Sequence, residues 1–268
     1  MSKLSNISQI ATTTTPEKKM SPLSSLRRHI YDGLTYPSLQ LSFYLSGPAY
    51  DRVGFKSWLG RADCKIADDP SKADFVIFTG GSDVDPSFYK EAKLQGTHSD
   101  PARDRDDYEL YQRCVLEGIP MLGICRGAQF LWVMQGGDLY QDVDNHNDGE
   151  HYIKVFDGRQ EILASSVHHQ MVRPGGVKNL VLIACSDTSR TRKTPNYELT
   201  GPSTDFEIWA HREQAILCFQ GHPEYEGFPA YSKLAVELIK KYIYSNDRTV
   251  YSKGVLRLRS VVATKEKK

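Results

Sequence analysis

Two short stretches carry residue types that can do chemistry together. Gly123-Ile124-Cys125-Arg126-Gly127 has the form GxCxG, which suits a strand turning sharply into a helix with a nucleophile at the bend, because flanking glycines leave room where a Cβ would obstruct the turn. A thiol there faces the unpaired amides and positive end of the helix, which favour a thiolate, and the Arg126 amide is aimed at an oxyanion forming on an attacked carbonyl. His222-Pro223-Glu224 offers a base and a carboxylate two residues apart. Pro223 disfavours helical backbone at His222, and alternate residues of an extended chain point the same way, so Glu224 can hold one imidazole nitrogen while the other is free to take a proton. Alone, each stretch stays open: free cysteines are commonly buried structural residues, and a loop can carry an incidental His and Glu.

The elements around these stretches read as an α/β fold. Leu39 begins a strand-like run ended by Ser-Gly-Pro, residues 49–60 have helical spacing, and DFVIFTGG at 74–81 is a continuous apolar run closed by two glycines. Such a run suits a strand covered on both faces of a parallel sheet. A helix is predicted over 104–117 and a buried strand over IPMLGIC, after which GAQFLWVMQGG reads as a helix. Beyond Asp138 the text changes to strand-like pieces, HYIKVF, SSVHHQMV, NLVLIACS, DFEIWAHR and AILCFQG, before a last helix over 228–244. The expected architecture is an open, mostly parallel sheet flanked by helices, with antiparallel strands added at one edge. A catalytic domain is placed at 39–245, between a Ser/Thr/Lys/Pro-rich flexible arm at 1–38 and a basic tail at 246–268.

The 268 residues carry 34 Lys plus Arg against 33 Asp plus Glu. That balance makes no electrostatic case for nucleic acid or membrane partners. Cys64, Cys114, Cys125, Cys185 and Cys218 are widely spread without a CxxC pair, no apolar run approaches the roughly 18 residues of a spanning helix, and no signal-peptide core is evident. A cytoplasmic protein is expected. His146, His151, His168 and His169 match no compact ligand spacing, so neither a metal nor another cofactor is expected.

Taken together, the two motifs resemble the class I glutamine amidotransferases. Within them the chain looks most like the gamma-glutamyl-gamma-aminobutyrate hydrolase branch, through GGSDVDPSFY, RDRDDYEL, GICRGAQ, GGDLYQD and SSVHHQ, which with HPE follow the family order. The resemblance implies Cys125 as nucleophile, His222 as base and acid, Glu224 as the group orienting His222, and an oxyanion hole from the Gly81 and Arg126 amides. It further implies that Gln129, His168, His169 and Gln170 contact the substrate, a small gamma-glutamyl compound such as glutamine. Arg103 and Asp104 could help position substrate, although a charged helix start accounts for them as well. Three positions depart from the branch: Trp132 and Ser165 stand where asparagines are common, and Gly221 where an aromatic precedes HPE. The leaving amine stays open accordingly, between a free-standing hydrolase, a glutaminase subunit feeding ammonia to a separate synthase partner, and a silent binding member of the family.

Overall fold

The computed structural model describes residues 35–47, 52–211 and 213–244. Of the arm expected at 1–38 only 35–38 fall among them, and the tail expected at 246–268 lies outside them.

In chain order the elements are β1 (Ser42–Leu45), α1 (Arg52–Gly60), β2 (Lys65–Ile66), β3 (Phe75–Phe78), α2 (Pro101–Glu117), β4 (Met121–Ile124) and α3 (Arg126–Met134). There follow β5 (Asp138–Tyr140), β6 (Asp142–Val143), β7 (Gly149–Val155), β8 (Ile162–Ser166), β9 (Met171–Arg173), β10 (Leu180–Ser186), β11 (Thr191–Lys193), β12 (Glu198–Thr200), β13 (Asp205–His211), β14 (Ile216–Phe219) and α4 (Pro229–Tyr242).

Nine strands form the main sheet in the order β2-β1-β3-β4-β14-β13-β10-β7-β8. From β2 to β14 the neighbours are parallel, and from β14 outward they are antiparallel. The parallel sheet with an antiparallel edge that the sequence pattern predicts is therefore the fold. β3, β4 and β14 are buried at every position, as strands covered on both faces must be. Their alternate side chains feed two cores. Phe75, Ile77, Leu122 and Phe219 pack with Phe55, Trp58 and Leu59 of α1 and with α4. Val76, Phe78, Met121 and Cys218 point the other way, onto Cys114 of α2 and Phe130 of α3.

α2 starts where Asp100 caps it, accepting from the Ala102 and Arg103 amides at 3.0 and 3.2 Å, and ends at Gly118 in the left-handed conformation. Trp132, one of the departures from the branch pattern, is fully buried, donates Nε1 to the Asp138 carbonyl at 3.0 Å, and meets Phe206 and Trp209 edge-on. A Cβ at Gly137 would fall 2.1 Å from the Trp132 indole, so the second glycine of Gly136-Gly137 makes room for that ring.

SSVHHQMV is not one strand. β8 ends at Ser166 in the main sheet, β9 begins at Met171 and pairs with β5 in a separate two-stranded sheet, and Val167 to Gln170 bridge them. The break is held by the backbone: the His168 amide donates to the His146 carbonyl at 2.9 Å and the Val143 amide to the His169 carbonyl at 2.8 Å. A second small sheet, β12-β11-β6, was not visible in the sequence pattern either.

Candidate active site at the carboxyl ends of three strands

β3, β4 and β14 are neighbours and parallel, so their carboxyl ends open on one edge, the usual place for a ligand in an open α/β sheet. β3 runs out into Gly80-Gly81, β4 into Cys125, and β14 into His222. Residues far apart in the chain meet for that reason.

Cys125 is the turn itself, with φ 51° and ψ −113°. A non-glycine residue at that φ stores strain of roughly 1–3 kcal/mol, which the surroundings must over-determine. They do so here. The Cys125 amide donates to the Phe219 carbonyl at 2.8 Å, and the Cys125 carbonyl accepts from the Ala128 and Gln129 amides at 3.0 and 3.1 Å. A Cβ at Gly123 would lie 2.6 Å from the Ala128 Cα, and one at Gly127 would lie 1.9 Å from the Phe78 carbonyl oxygen. The two glycines of GxCxG are thus required by close backbone approach.

The start of α3 is also held by charge. The Arg126 guanidinium is buried and paired with both Asp104 and Asp107, while Arg103 bonds Asp107 through Nε at 2.9 Å and Thr79 Oγ1 through Nη2 at 3.0 Å. Thr79 immediately precedes Gly80. The acids and bases of RDRDD therefore tie the end of β3 to the first turn of α3, and Asp104 faces Arg126 rather than the cavity.

The His222 ring reaches this corner beside Gly80. A Cβ on Gly80 would stand 2.9 Å from His222 Cε1 and 3.8 Å from Cys125 Cβ. His222 Nδ1 lies 2.7 Å from Glu224 Oε1, and the ring stands beside the Cys125 side chain. With Nδ1 engaged by Glu224, Nε2 is the nitrogen left for the sulfur. Burial works against a charged ring, but the Cys125 and Glu224 side chains outweigh it and hold His222 well above the usual histidine range. Tyr225 stacks on the imidazole at 4.2 Å between centroids. Elsewhere in the fold, burial pushes the Cys64 thiol up to about 11 and the Cys114 thiol up to about 12, and raises Cys185 and Cys218 as well.

A cavity of about 210 Å³ opens beside the sulfur, and seven residues singled out in the sequence line it: Gly81, Cys125, Arg126, Gln129, His168, His169 and Gln170. Gln129 Nε2 donates to the Gln170 carbonyl at 2.8 Å, fixing that wall. His168 is a neutral ring, pushed down to about 3 by burial with His146 beside it, and its Nδ1 faces the Gln170 carbonyl at 2.9 Å. His169 is part exposed, with Nε2 3.1 Å from Asp83 Oδ1, and that contact raises its pKa. Asp83 and His98 also line the cavity and were not among the residues picked from the sequence, although Asp83 sits inside the GGSDVDPSFY block.

Sequence reasoning missed the role of Ser165. The His222 amide donates to Ser165 Oγ at 2.7 Å, and that hydroxyl lies 3.4 Å from the His222 carbonyl oxygen, to which it donates. A Cβ at Gly221 would be 2.6 Å from the Ser165 carbonyl oxygen and 3.1 Å from the Tyr231 hydroxyl. Two departures from the branch pattern, Ser165 and Gly221, are thus neighbours in one tight contact. Trp132 lies in the core and does not line the cavity.

The fold and the strand-end corner define a class I glutamine amidotransferase-like chain. The sequence profile of the Peptidase C26 family matches residues 62–224, more than half of the chain, and the chain belongs to that family. A glutamine amidotransferase-like protein of Lactococcus lactis subsp. lactis (strain IL1403), YvdE, is 30% identical over 173 residues, 56% of this chain and 66% of its own length. The gamma-glutamyl-CDP-amidate hydrolase of Campylobacter jejuni subsp. jejuni is 30% identical over 125 residues, 46% of this chain and 56% of its own. Both matches span less than two thirds of the relative's length. In the fold alone, a solved Thermoplasma acidophilum structure described as part of a GMP synthase superposes with a TM-score of 0.53 at 19% identity, over 75% of this chain and 95% of that one. Among the described residues no helix is long and apolar enough to cross a membrane.

Proposed function

We propose that the protein hydrolyses the amide bond of a small gamma-glutamyl compound through a Cys125 thioester. The observation that carries this reading is the arrangement at the strand ends: a strained Cys125 beside a His222 ring whose Nδ1 is 2.7 Å from Glu224. In this reaction the Cys125 sulfur attacks the gamma-carbonyl, and the Arg126 and Gly81 amides receive the oxyanion. His222, its Nδ1 held by Glu224, gives a proton to the leaving amine, and the thioester remains. Water attacks the thioester as His222 takes its proton, releasing glutamate and the thiol. Gly81, at φ 143°, takes a conformation that a side chain would strain and keeps its amide clear for the oxygen. Asp83 is the carboxylate of the cavity and suits a substrate ammonium.

The Campylobacter relative's name, a gamma-glutamyl-CDP-amidate hydrolase, supports hydrolysis of a gamma-glutamyl substrate. The test is to incubate the purified chain with glutamine and with gamma-glutamyl amines, beside a Cys125→Ala control, and to measure glutamate release. Turnover of a gamma-glutamyl amine without any added protein supports the hydrolase. Glutamine turnover that appears only with an acceptor synthase supports the glutaminase reading instead, and turnover retained by Cys125→Ala sinks both. In a second assay, a glutamine-like diazo-ketone should alkylate Cys125 ahead of the four cysteines whose thiols burial raises; equal rates at all five would remove the activated thiolate.

A further inference from the structure

Behind the wall of the cavity lies a second group of titratable side chains that the proposed reaction does not use. His146, on the segment after β6, His151 on β7 and Glu207 on β13 each place one ligand-capable atom within 4.8 Å of the other two. His151 Nε2 is 2.9 Å, and His146 Nδ1 3.9 Å, from the same oxygen, Glu207 Oε1. A cation held ~2.0–2.1 Å from two ligands at a tetrahedral angle separates them by roughly 3.3 Å, so the two spacings bracket what coordination requires.

Three observations set this group apart from an ordinary buried ion pair. The other nitrogen of His146, Nε2, lies 3.0 Å from Asp205 Oδ2, which also accepts from the Ser189 amide at 2.8 Å. A carboxylate behind a histidine in this way fixes the ring, the arrangement seen behind metal-bound imidazoles, and turns Nδ1, 3.2 Å from Ser166 Oγ, toward the cluster. Glu207 is fully buried, and among the described residues its Oε2 has no hydrogen-bond partner, nor has His151 Nδ1. Oε1 is held by His151 and by Ser186 Oγ, which donates to it at 2.9 Å, so Oε2 is the buried carboxylate oxygen left unsatisfied, and a cation bound by the carboxylate would satisfy it. Finally, the His146 ring packs against both His151 and His168, at 5.0 and 4.7 Å between centroids, and the Nε2 of His168 is also buried without a partner among the described residues.

We propose that His146 Nδ1, His151 Nε2 and the Glu207 carboxylate form a site for a divalent transition-metal cation. Two imidazoles and one carboxylate with a fourth position open suit Zn²⁺ in tetrahedral geometry. The ion would join β7, β13 and the segment after β6, and it would brace His168, through His146, from behind the cavity wall. It does not touch Cys125, so the inference stands or falls apart from the hydrolase reading.

The full-length chain, purified without a histidine tag and stripped with a chelator, is titrated with Zn²⁺ and in parallel with Co²⁺. One Zn²⁺ per chain, a saturable rise in melting temperature, and visible cobalt absorption without a thiolate charge-transfer band are expected. Glu207→Gln and His151→Gln should lower Zn²⁺ affinity at least tenfold, and Asp205→Asn, behind His146, by about 10–100-fold. Cys125→Ala should bind as the unaltered chain does. No saturable Zn²⁺ binding overturns the proposal, as does a cobalt thiolate band lost in Cys125→Ala, which would put the ion on Cys125 and His222. Unchanged affinity in a folded Glu207→Gln overturns it too. Where a variant does not fold, the stoichiometry and the cobalt spectrum of the unaltered chain decide.

Discussion

Two of the histidine–carboxylate pairs among the described residues invite comparison, at 2.7 Å for His222 and Glu224 and 2.9 Å for His151 and Glu207. In both, burial opposes the charge on the ring and is outweighed, by Cys125 and Glu224 at His222 and by Glu207 at His151, so each stands above the usual range. A raised histidine therefore does not by itself mark a catalytic group. The surroundings separate the two pairs. His222 stands at the carboxyl ends of parallel strands, beside a cysteine on a strained turn that lines the cavity. His151 sits on an antiparallel strand, and its partner Glu207 is fully buried. In the proposed reaction the first pair moves a proton, while the second holds strands, or an ion, in place.

Breaking the first pair should cost activity above all. Cys125→Ala is expected to reduce gamma-glutamyl hydrolysis by ~10⁵–10⁶-fold, and Glu224→Gln by ~10⁴-fold, in steady-state assays on folded protein. A Glu224→Gln enzyme within tenfold of the unaltered chain would deny Glu224 its orienting role.

Breaking the second pair should cost stability instead. Glu207→Ala leaves the buried His151 without its carboxylate and should destabilise the fold by about 3–5 kcal/mol in urea unfolding. If Glu207→Ala and Glu224→Gln lost equal stability, the contrast between the pairs would fail.

Ser165 sharpens the comparison from the catalytic side. Ser165→Ala removes the hydroxyl that grips both the amide and the carbonyl of His222, so kcat should drop, by up to ~10²-fold, while KM holds. Ser165→Thr should restore much of the loss. A change in KM alone would assign Ser165 to substrate binding.

The smallest effect is on acid stability. Burial alone would raise the Glu207 carboxyl, but the His151 hydrogen bond and the histidines around it lower it from 4.5 to about 2. A depressed carboxylate contributes stability that is present above pH 4.5 and lost as pH falls toward 2. His151, raised from 6.5, works in the opposite sense: its contribution is present below pH 6.5 and lost as pH rises through its folded value. The melting temperature should therefore be highest between about pH 4.5 and 6.5 as far as this pair governs it, and Glu207→Gln should flatten the acid side. An acid limb unchanged by that variant would show that other carboxylates set it.

Much of the catalytic corner was legible because its parts are local. GxCxG encodes a tight turn through glycines that a short string displays, and His222 and Glu224 are two residues apart. The strands behind them, FVIF, MLGI and ILCF, show themselves as unbroken apolar runs. The second cluster was not legible. His151 and Glu207 are 56 residues apart and His146 and Asp205 are 59, joined only because β7, β10 and β13 are neighbours in the sheet. The short strands β5, β6, β9, β11 and β12 escaped for a related reason: two or three residues show no period, and their pairing depends on partners far along the chain.

The sequence by itself determined the tight turn at Cys125, the pairing of His222 with Glu224, and the α/β alternation, because each rests on backbone sterics or periodicity within a few residues. Only the tertiary structure decided that Asp104 and Asp107 serve Arg126, that Ser165 and Gly221 share one contact around His222, that Trp132 belongs to the core, and that His146 meets Glu207. Those depend on strand order, and strand order is settled by which apolar faces bury against which, a property of the whole chain.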